Sequence, residues 1–444
     1  MRQVNLKYPA IIIVLLMMAF QACSNDSNPA VPPAPEKDVV SIVERNPLIK
    51  IGLLSFSPQK HIYVSITRGT FICYKAGSLD SFGEGIGGSV FKFTGDEDEI
   101  QYLEDAESED EPESTNMKEI RIETADGAVD GFIEVGTSRN NLRPYRGTIT
   151  LILEGKNILV INTLELEDYL TGVVPAEMNP LWEEDALKAQ AVASRTYALF
   201  NLERFKNRGF DITDDERSQR YGGVDVETSR TDLAVIDTTY EVIAYNDSLA
   251  CIAFHKESYL ETADVVDVWP YTGGLPYLVE VDETLGNVDF SSGGNFPEWS
   301  NWASFDELHE ALNRDGETFT GGFFSAMTVL GRSENGRIQT IDISGEKNPV
   351  VDAVTLMHVL NRNLRENFLP SNKFVMTLEG EGYRFTGNGA GHGVGMNQFG
   401  ANRRASNGQD YKFILSQYYP GTEVMEIPLD GISVIHNTRI DQIH

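Results

Sequence analysis

Glu177 lies in the stretch Val173-Val174-Pro175-Ala176-Glu177-Met178-Asn179-Pro180, an ionisable residue among apolar neighbours at a break between two elements. Such surroundings disfavour the charged carboxylate, which is what a general acid working near neutrality requires. On those residues alone, a capped or salt-bridged structural glutamate is the stronger reading. A second segment, residues 387–400, alternates glycines around Asn388, Ala390, His392, Val394 and Met396 before Asn397, Gln398 and Phe399. Glycine at this density lets backbone approach a ligand closely. The segment lacks the Lys-Ser/Thr of a phosphate loop, so it is a binding loop or a tight structural turn. His392 has glycines on both sides, little local packing, and so is a candidate to face a cleft. In a third segment, residues 254–264, His255, Glu257 and Glu261 could converge on a metal. Without paired cysteines or a two-histidine helix, a hydrogen-bonded structural role for His255 is the better reading.

These segments need elements to hold them. Leu166, Tyr169, Leu170, Val173 and Val174 recur at helical spacing, so 166–174 reads as a short amphipathic helix ending at Pro175, with a buried strand as the alternative. Residues 183–205 read as a second helix: acidic residues crowd its first turn, where the helix dipole favours them, and strong helix formers follow. Ala186, Ala189, Ala191, Ala193 and Ala198 make it narrow and suited to close packing against a sheet. Upstream, alternating runs at 61–67, 70–74, 118–122, 131–135, 147–153 and 157–163, with turns at Asp126-Gly127 and Gly155-Lys156, predict a β-rich region over 43–163. Downstream, 233–249 reads as strand-like, 305–313 and 351–367 as helices, 336–344 and 373–378 as strands, and 397–407 as helix-like. No fixed-period repeat and no βαβ phosphate fingerprint appear. The expected class is α+β, a β-rich N-terminal region joined to a mixed α/β core over 164–428.

The chain's 444 residues, 41% of them hydrophobic, suffice for a sizeable core and more than one domain. A formal net charge of -31 argues against a nucleic-acid partner and against electrostatic capture by acidic lipids. Residues 96–113 carry eleven acidic side chains and no basic one, the composition of a solvated, mobile loop. At the N-terminus, Met1-Arg2 and Lys7 precede an apolar run over 11–20 that is too short to span a bilayer and leads to Gln21-Ala22-Cys23. This reads as a signal peptide over 1–22, with Cys23 as the lipid-modified residue of a lipoprotein. Residues 23–42 read as a flexible tether and 429–444 as a tail. The mature chain is expected outside the cytoplasm, held to a membrane through lipid on Cys23. Beyond it only Cys73 and Cys251 remain, too few for a disulfide framework or a multi-cysteine zinc module.

Several of these segments, taken in order, resemble the stage II sporulation protein D and amidase-enhancer family of cell-wall proteins. They are Leu166-Glu167-Asp168-Tyr169-Leu170, Val173-Val174-Pro175-Ala176-Glu177-Met178, Ala186-Leu187-Lys188-Ala189-Gln190-Ala191-Val192 and Ser194-Arg195-Thr196-Tyr197-Ala198. The glycine loop, Tyr418-Tyr419-Pro420-Gly421-Thr422, Leu369-Pro370-Ser371 and Pro276-Tyr277-Leu278 follow the same pattern. The resemblance covers 164–428, with looser similarity from about Leu48. It implies a core with a glycan-binding groove and a lytic transglycosylase acting on peptide-stripped peptidoglycan, with Glu177 as the catalytic residue. Sugar contacts are then expected from Gln190, Arg195, Tyr197, His392, Asn397 and Gln398, although for Gln190, Arg195 and Tyr197 a structural role on the narrow helix is equally open. The family commonly carries a zinc-binding His/Cys/His string. This sequence keeps His255 but has Ser258 and Glu261 at the other two places, so neither zinc nor any other cofactor is expected.

The implied chemistry needs a single carboxyl group. A hydrolytic glycosidase normally uses two, one protonating the leaving oxygen and one activating water or attacking. In a lytic transglycosylase the muramoyl C6 hydroxyl, already held beside the anomeric carbon, takes the place of water. Glu177 would donate a proton to the glycosidic oxygen and then accept one from that hydroxyl, leaving a 1,6-anhydro muramoyl end. Two rivals stand beside this: a non-catalytic binder that recruits or stimulates a wall amidase, and ordinary hydrolysis by a second carboxylate such as Glu183 or Asp264.

Overall fold

The structure, a computed structural model, describes residues 39–125, 131–285, 288–291, 294 and 296–436. The expected signal peptide, Cys23, most of the expected tether, the turn at Asp126-Gly127 and the end of the tail lie outside them.

The alternating runs of the N-terminal region form two antiparallel sheets whose inward residues share one core. A seven-stranded sheet runs in the order Ile212–Thr213, Leu48–Gly52, Asn157–Glu165, Thr148–Glu154, Glu119–Thr124, Thr70–Lys75, Ser81–Ile86, its first pair being parallel. A six-stranded sheet runs Asn141–Tyr145, Ile133–Ser138, His61–Ile66, Phe91–Gly95, Ile100–Leu103, Glu113–Ser114. Phe71 of the first meets Phe91 of the second edge to face, ring centroids 5.0 Å apart. The acidic segment 96–113 therefore differs from the expected mobile loop. It contributes the strand Ile100–Leu103, because Ile100 and Tyr102 alternate inward and are buried while the carboxylates beside them stay outside.

Strand Asn157–Glu165 leads straight into the helical core: α1 (Leu166–Glu177), α2 (Glu184–Phe200) and α3 (Ser229–Asp237), followed by α4 (Phe305–Leu312), α5 (Ala353–Asn363), α6 (Gln398–Ser406) and α7 (Tyr411–Tyr418). The first of these is a helix, not a strand, and it passes Pro175: the Met178 amide donates to the Val174 carbonyl at 2.9 Å and closes the last turn. Every residue of α2 from Ala189 to Phe200 is buried, so its alanine run serves a helix packed on all sides by α1, α3, α6, α7 and strand Glu241–Tyr245. The strand-like reading of 233–249 holds only for its second half. Thr228 caps α3 by accepting from the Thr231 amide, and helix continues to Asp237 before strand Glu241–Tyr245 begins.

That strand belongs to a five-stranded sheet ordered Val39–Val43, Ile432–His436, Ser248–Leu249, Glu241–Tyr245, Glu423–Glu426. The segments read as tether and tail thus each supply a strand, paired antiparallel with one another. Between them, residues 299–387 supply two three-stranded sheets with α4 and α5, and their buried side chains join the same core. The chain returns to the core where Met396–Asn397 lies parallel to Phe254–His255.

Candidate active site

Glu177 is the last residue of α1, at the negative end of its dipole and half-buried in the wall of a cleft of about 630 Å³. One carboxylate oxygen accepts the backbone N–H of Arg220 at 2.6 Å, and the other accepts the side-chain amide of Gln398 at 3.0 Å. Burial raises the Glu177 carboxyl above the ordinary carboxylate range, outweighing those two hydrogen bonds and the positive charges of Arg220 and Lys256. The result is a carboxyl group fixed in direction and readier to hold a proton than one in water.

Its partner Gln398 opens α6, whose first turn is capped by Asn397 accepting from the Gly400 amide at 3.0 Å. The Gln398 amide also donates to Gln190 Oε1 at 3.3 Å, and Gln190 in turn donates to Ser194 Oγ at 2.9 Å. A continuous row from α2 through α6 thereby orients the donor that faces Glu177. Gln190 stands behind the cleft in this row, while Gln398 and Tyr197 line it.

His392 lines the cleft as well, its ring packed against Trp269 and His255 at centroid distances of 5.1 and 5.7 Å. Its Nδ1 accepts the Val394 amide at 3.1 Å, and burial pushes its pKa down to about 3, so it acts as a neutral imidazole. The glycines around it have a packing reason. At Gly391, with φ at +93°, a Cβ would stand 2.8 Å from that of His255.

The structure does not bring Arg195 or Asn397 to the cleft. Arg195 is fully buried and spends its guanidinium on a two-pronged pair with Glu167, both contacts 2.7 Å, and on the Glu241 carbonyl at 3.0 Å. Asn397 is buried behind α6, donating to Glu283 at 3.0 Å. Glu183 and Asp264 sit at helix starts and do not line the cleft either. Its carboxylates besides Glu177 are Asp215, Glu216 and Glu366, none of which stood out in the sequence. Of these, Asp215 is held by Arg217 at 2.9 Å.

The positions that would correspond to a zinc string do not fit the metal. His255 has both ring nitrogens engaged, Nε2 with Ser258 Oγ at 2.6 Å and Nδ1 with the Val394 carbonyl at 3.2 Å. Glu261 is paired with the Lys373 ammonium at 2.7 Å. A hydroxyl and a lysine-bound carboxylate offer zinc neither the thiolate nor the imidazole that such a site uses.

Residues 154–245, which carry α1 and α2, match the stage II sporulation protein family, and residues 282–395 match a domain of unknown function. An uncharacterized protein of Brachyspira hyodysenteriae (strain ATCC 49526 / WA1) is 30% identical over 308 residues, covering 69% of this chain and 76% of that one. The stage II sporulation protein D of Bacillus subtilis (strain 168) is 29% identical, with 60% of this chain and 76% of the relative covered. The amidase enhancer of the same organism is 30% identical over 57% of this chain, and the match spans 40% of the enhancer's length.

Proposed function

Because the chain belongs to the stage II sporulation protein D and amidase-enhancer family and has a cell-wall-associated role, we propose that it is a lytic transglycosylase cutting peptidoglycan glycan strands, with Glu177 as its acid and base. The observation that carries the reading is the Glu177 carboxyl itself, protonation-prone and held between the Arg220 amide and the Gln398 side chain in the wall of a cleft.

In this mechanism the protonated carboxyl of Glu177 gives its proton to the glycosidic oxygen as the bond from the muramoyl anomeric carbon breaks. The positive charge that develops on the sugar is met by the carboxylate just formed. That carboxylate then takes the proton of the C6 hydroxyl as its oxygen closes on the anomeric carbon, giving the 1,6-anhydro ring and restoring the acid. The Arg220 amide and Gln398 stabilise the carboxylate between the two transfers, which keeps the group from being too weak an acid to donate. The high negative charge of the chain favours strands stripped of their carboxylate-rich stem peptides. The same reading has the chain exported and anchored through lipid on Cys23.

A second reading follows from the relative named an amidase enhancer: a glycan binder that recruits or stimulates a wall amidase without cutting. The two separate on one experiment. Residues 39–444, a compact unit of their own, and their Glu177→Gln variant are incubated with peptide-free glycan strands and the products read by mass spectrometry. Anhydro-muramoyl fragments released by the parent and not by the variant support the enzyme. Binding by both with cutting by neither supports the recruiter.

A further inference from the structure

Residues 282–395 supply one side of the Glu177 cleft. Helix α5 contributes Val354, Met357, His358, Asn361 and Arg362 to its lining. Two of the polar groups on this helix are already committed. Asn361 exchanges hydrogen bonds with the backbone of Leu369 at 2.7 and 3.1 Å, and Arg362 pairs with Asp315 at 2.9 Å. His358 differs from them: it is half-buried, it lines the cleft, and among the described residues its imidazole makes no hydrogen bond. The largest charge acting on it is that of Glu216, which comes from the core side, also lines the cleft and, among the described residues, makes no side-chain hydrogen bond. Burial outweighs the carboxylates and lowers the His358 pKa, which leaves a neutral ring with one donor and one acceptor.

A carboxylate that can only accept, an imidazole that can do both, and the buried apolar surface of Val354 and Met357 beside them form a combination suited to a sugar ring. Hydroxyls and an acetamido N–H donate to the carboxylate, a carbonyl or hydroxyl accepts from the imidazole, and the C–H face of the ring packs on the apolar side chains. We propose that Glu216 and His358 form a sugar subsite, shared between the core and the 282–395 segment, that takes an uncharged N-acetylated hexose. Among the described residues around His358, the carboxylates of Glu216, Asp352 and Asp215 stand against the one cation Arg362, and this negative balance disfavours a sugar bearing its own carboxylate. At Glu177 the acting charges are the cations Arg220 and Lys256, whereas at His358 three carboxylates face Arg362, so a carboxylate-bearing muramoyl residue is better accommodated beside Glu177, with the neutral sugar of the strand at Glu216 and His358. The segment matched only as a domain of unknown function thereby gains a role, holding the strand in register for the cut.

The identity of the ligand as a glycan rests on the reading of the previous section, and the test separates the two. The probe is chitotetraose, a neutral oligomer of N-acetylglucosamine, titrated calorimetrically into residues 39–444 carrying Glu177→Gln so that nothing is cut. His358→Ala and Glu216→Ala are each expected to weaken binding about tenfold or more, with melting temperatures close to the parent's, and His358→Gln to recover part of the loss. Variants that melt like the parent and bind as tightly, or a parent that binds no chitotetraose, overturn the subsite. Loss of the apolar packing alone would lower the melting temperature of His358→Ala and leave Glu216→Ala binding normally, which also overturns it. Release of anhydro-muramoyl fragments by the protein with Glu177 intact is judged separately: if it fails while chitotetraose binding behaves as expected, the enzyme reading falls and the subsite stands.

Discussion

Gln398 donates its side-chain amide to Glu177 at 3.0 Å across 221 residues of sequence. Its other contact, with Gln190, leaves the amide one orientation in which both acceptors are served. The bond selectively stabilises the ionised carboxyl, so it sets how strong an acid Glu177 is as well as where it points.

Replacing Gln398 with leucine removes that donor at similar size. The Glu177 carboxyl then becomes harder to ionise, and its pKa rises further. A general acid must start protonated, so activity falls as pH rises through its pKa; in Gln398→Leu that alkaline limb should move up by about one pH unit, the equivalent of one hydrogen bond to a charged group. The rate at the optimum should drop about a hundredfold because the carboxyl is no longer held in line. A pH-rate profile on peptide-free strands reads both. An unchanged limb would mean that Gln398 contacts substrate and leaves the acid alone.

Arg195 is expected to act on stability. Its buried guanidinium is the partner of Glu167, so Arg195→Met strands a partly buried carboxylate and should cost about 3 to 5 kcal/mol in urea unfolding. Arg195→Lys should recover only part of this, because an ammonium cannot make the two-pronged contact. Glycan affinity of the folded protein should stay within about twofold of the parent's, since a tenfold change already corresponds to about 1.4 kcal/mol. Normal stability with lost affinity would return Arg195 to the substrate.

The comparison of Arg195 with Gln398 shows what the sequence could and could not yield. Both are polar residues in segments that carry the family resemblance, and nothing in residue type or spacing separates the one that meets Glu167 from the one that meets Glu177. That difference is a matter of which helix face the tertiary packing turns toward the cleft. Glu177 stood out as an ionisable group among apolar residues, but those residues alone favoured a structural glutamate and only the family resemblance pointed to a catalytic one; α2 was legible because its alanine run and acidic first turn agree. His358 and Glu216 were not, since a histidine on an amphipathic helix and a glutamate in an acidic stretch carry no local mark. The acidic segment misled for a related reason: its charge count hid the inward alternation of Ile100 and Tyr102.

Glu283 provides the clearest dependence of stability on pH. It is fully buried beneath α6, where it meets Asn397 at 3.0 Å, Tyr418 at 3.0 Å and Arg404 at 3.5 Å. Burial raises its pKa to about 7, against the opposing effects of Arg404, Asn397 and Tyr418. In the unfolded chain the same carboxyl titrates at about 4.3. The folded state therefore holds the proton more tightly, so this contribution to stability is fully present below about pH 4 and is lost as pH rises through about 7. The full amplitude is on the order of 3 kcal/mol. Glu283→Gln cannot ionise and imitates the protonated form, so urea midpoints of parent and variant should converge at low pH and separate in the variant's favour between about pH 5 and about pH 8. The reverse trend, with the parent gaining on the variant as pH rises, would mean that Arg404 keeps Glu283 ionised in the fold.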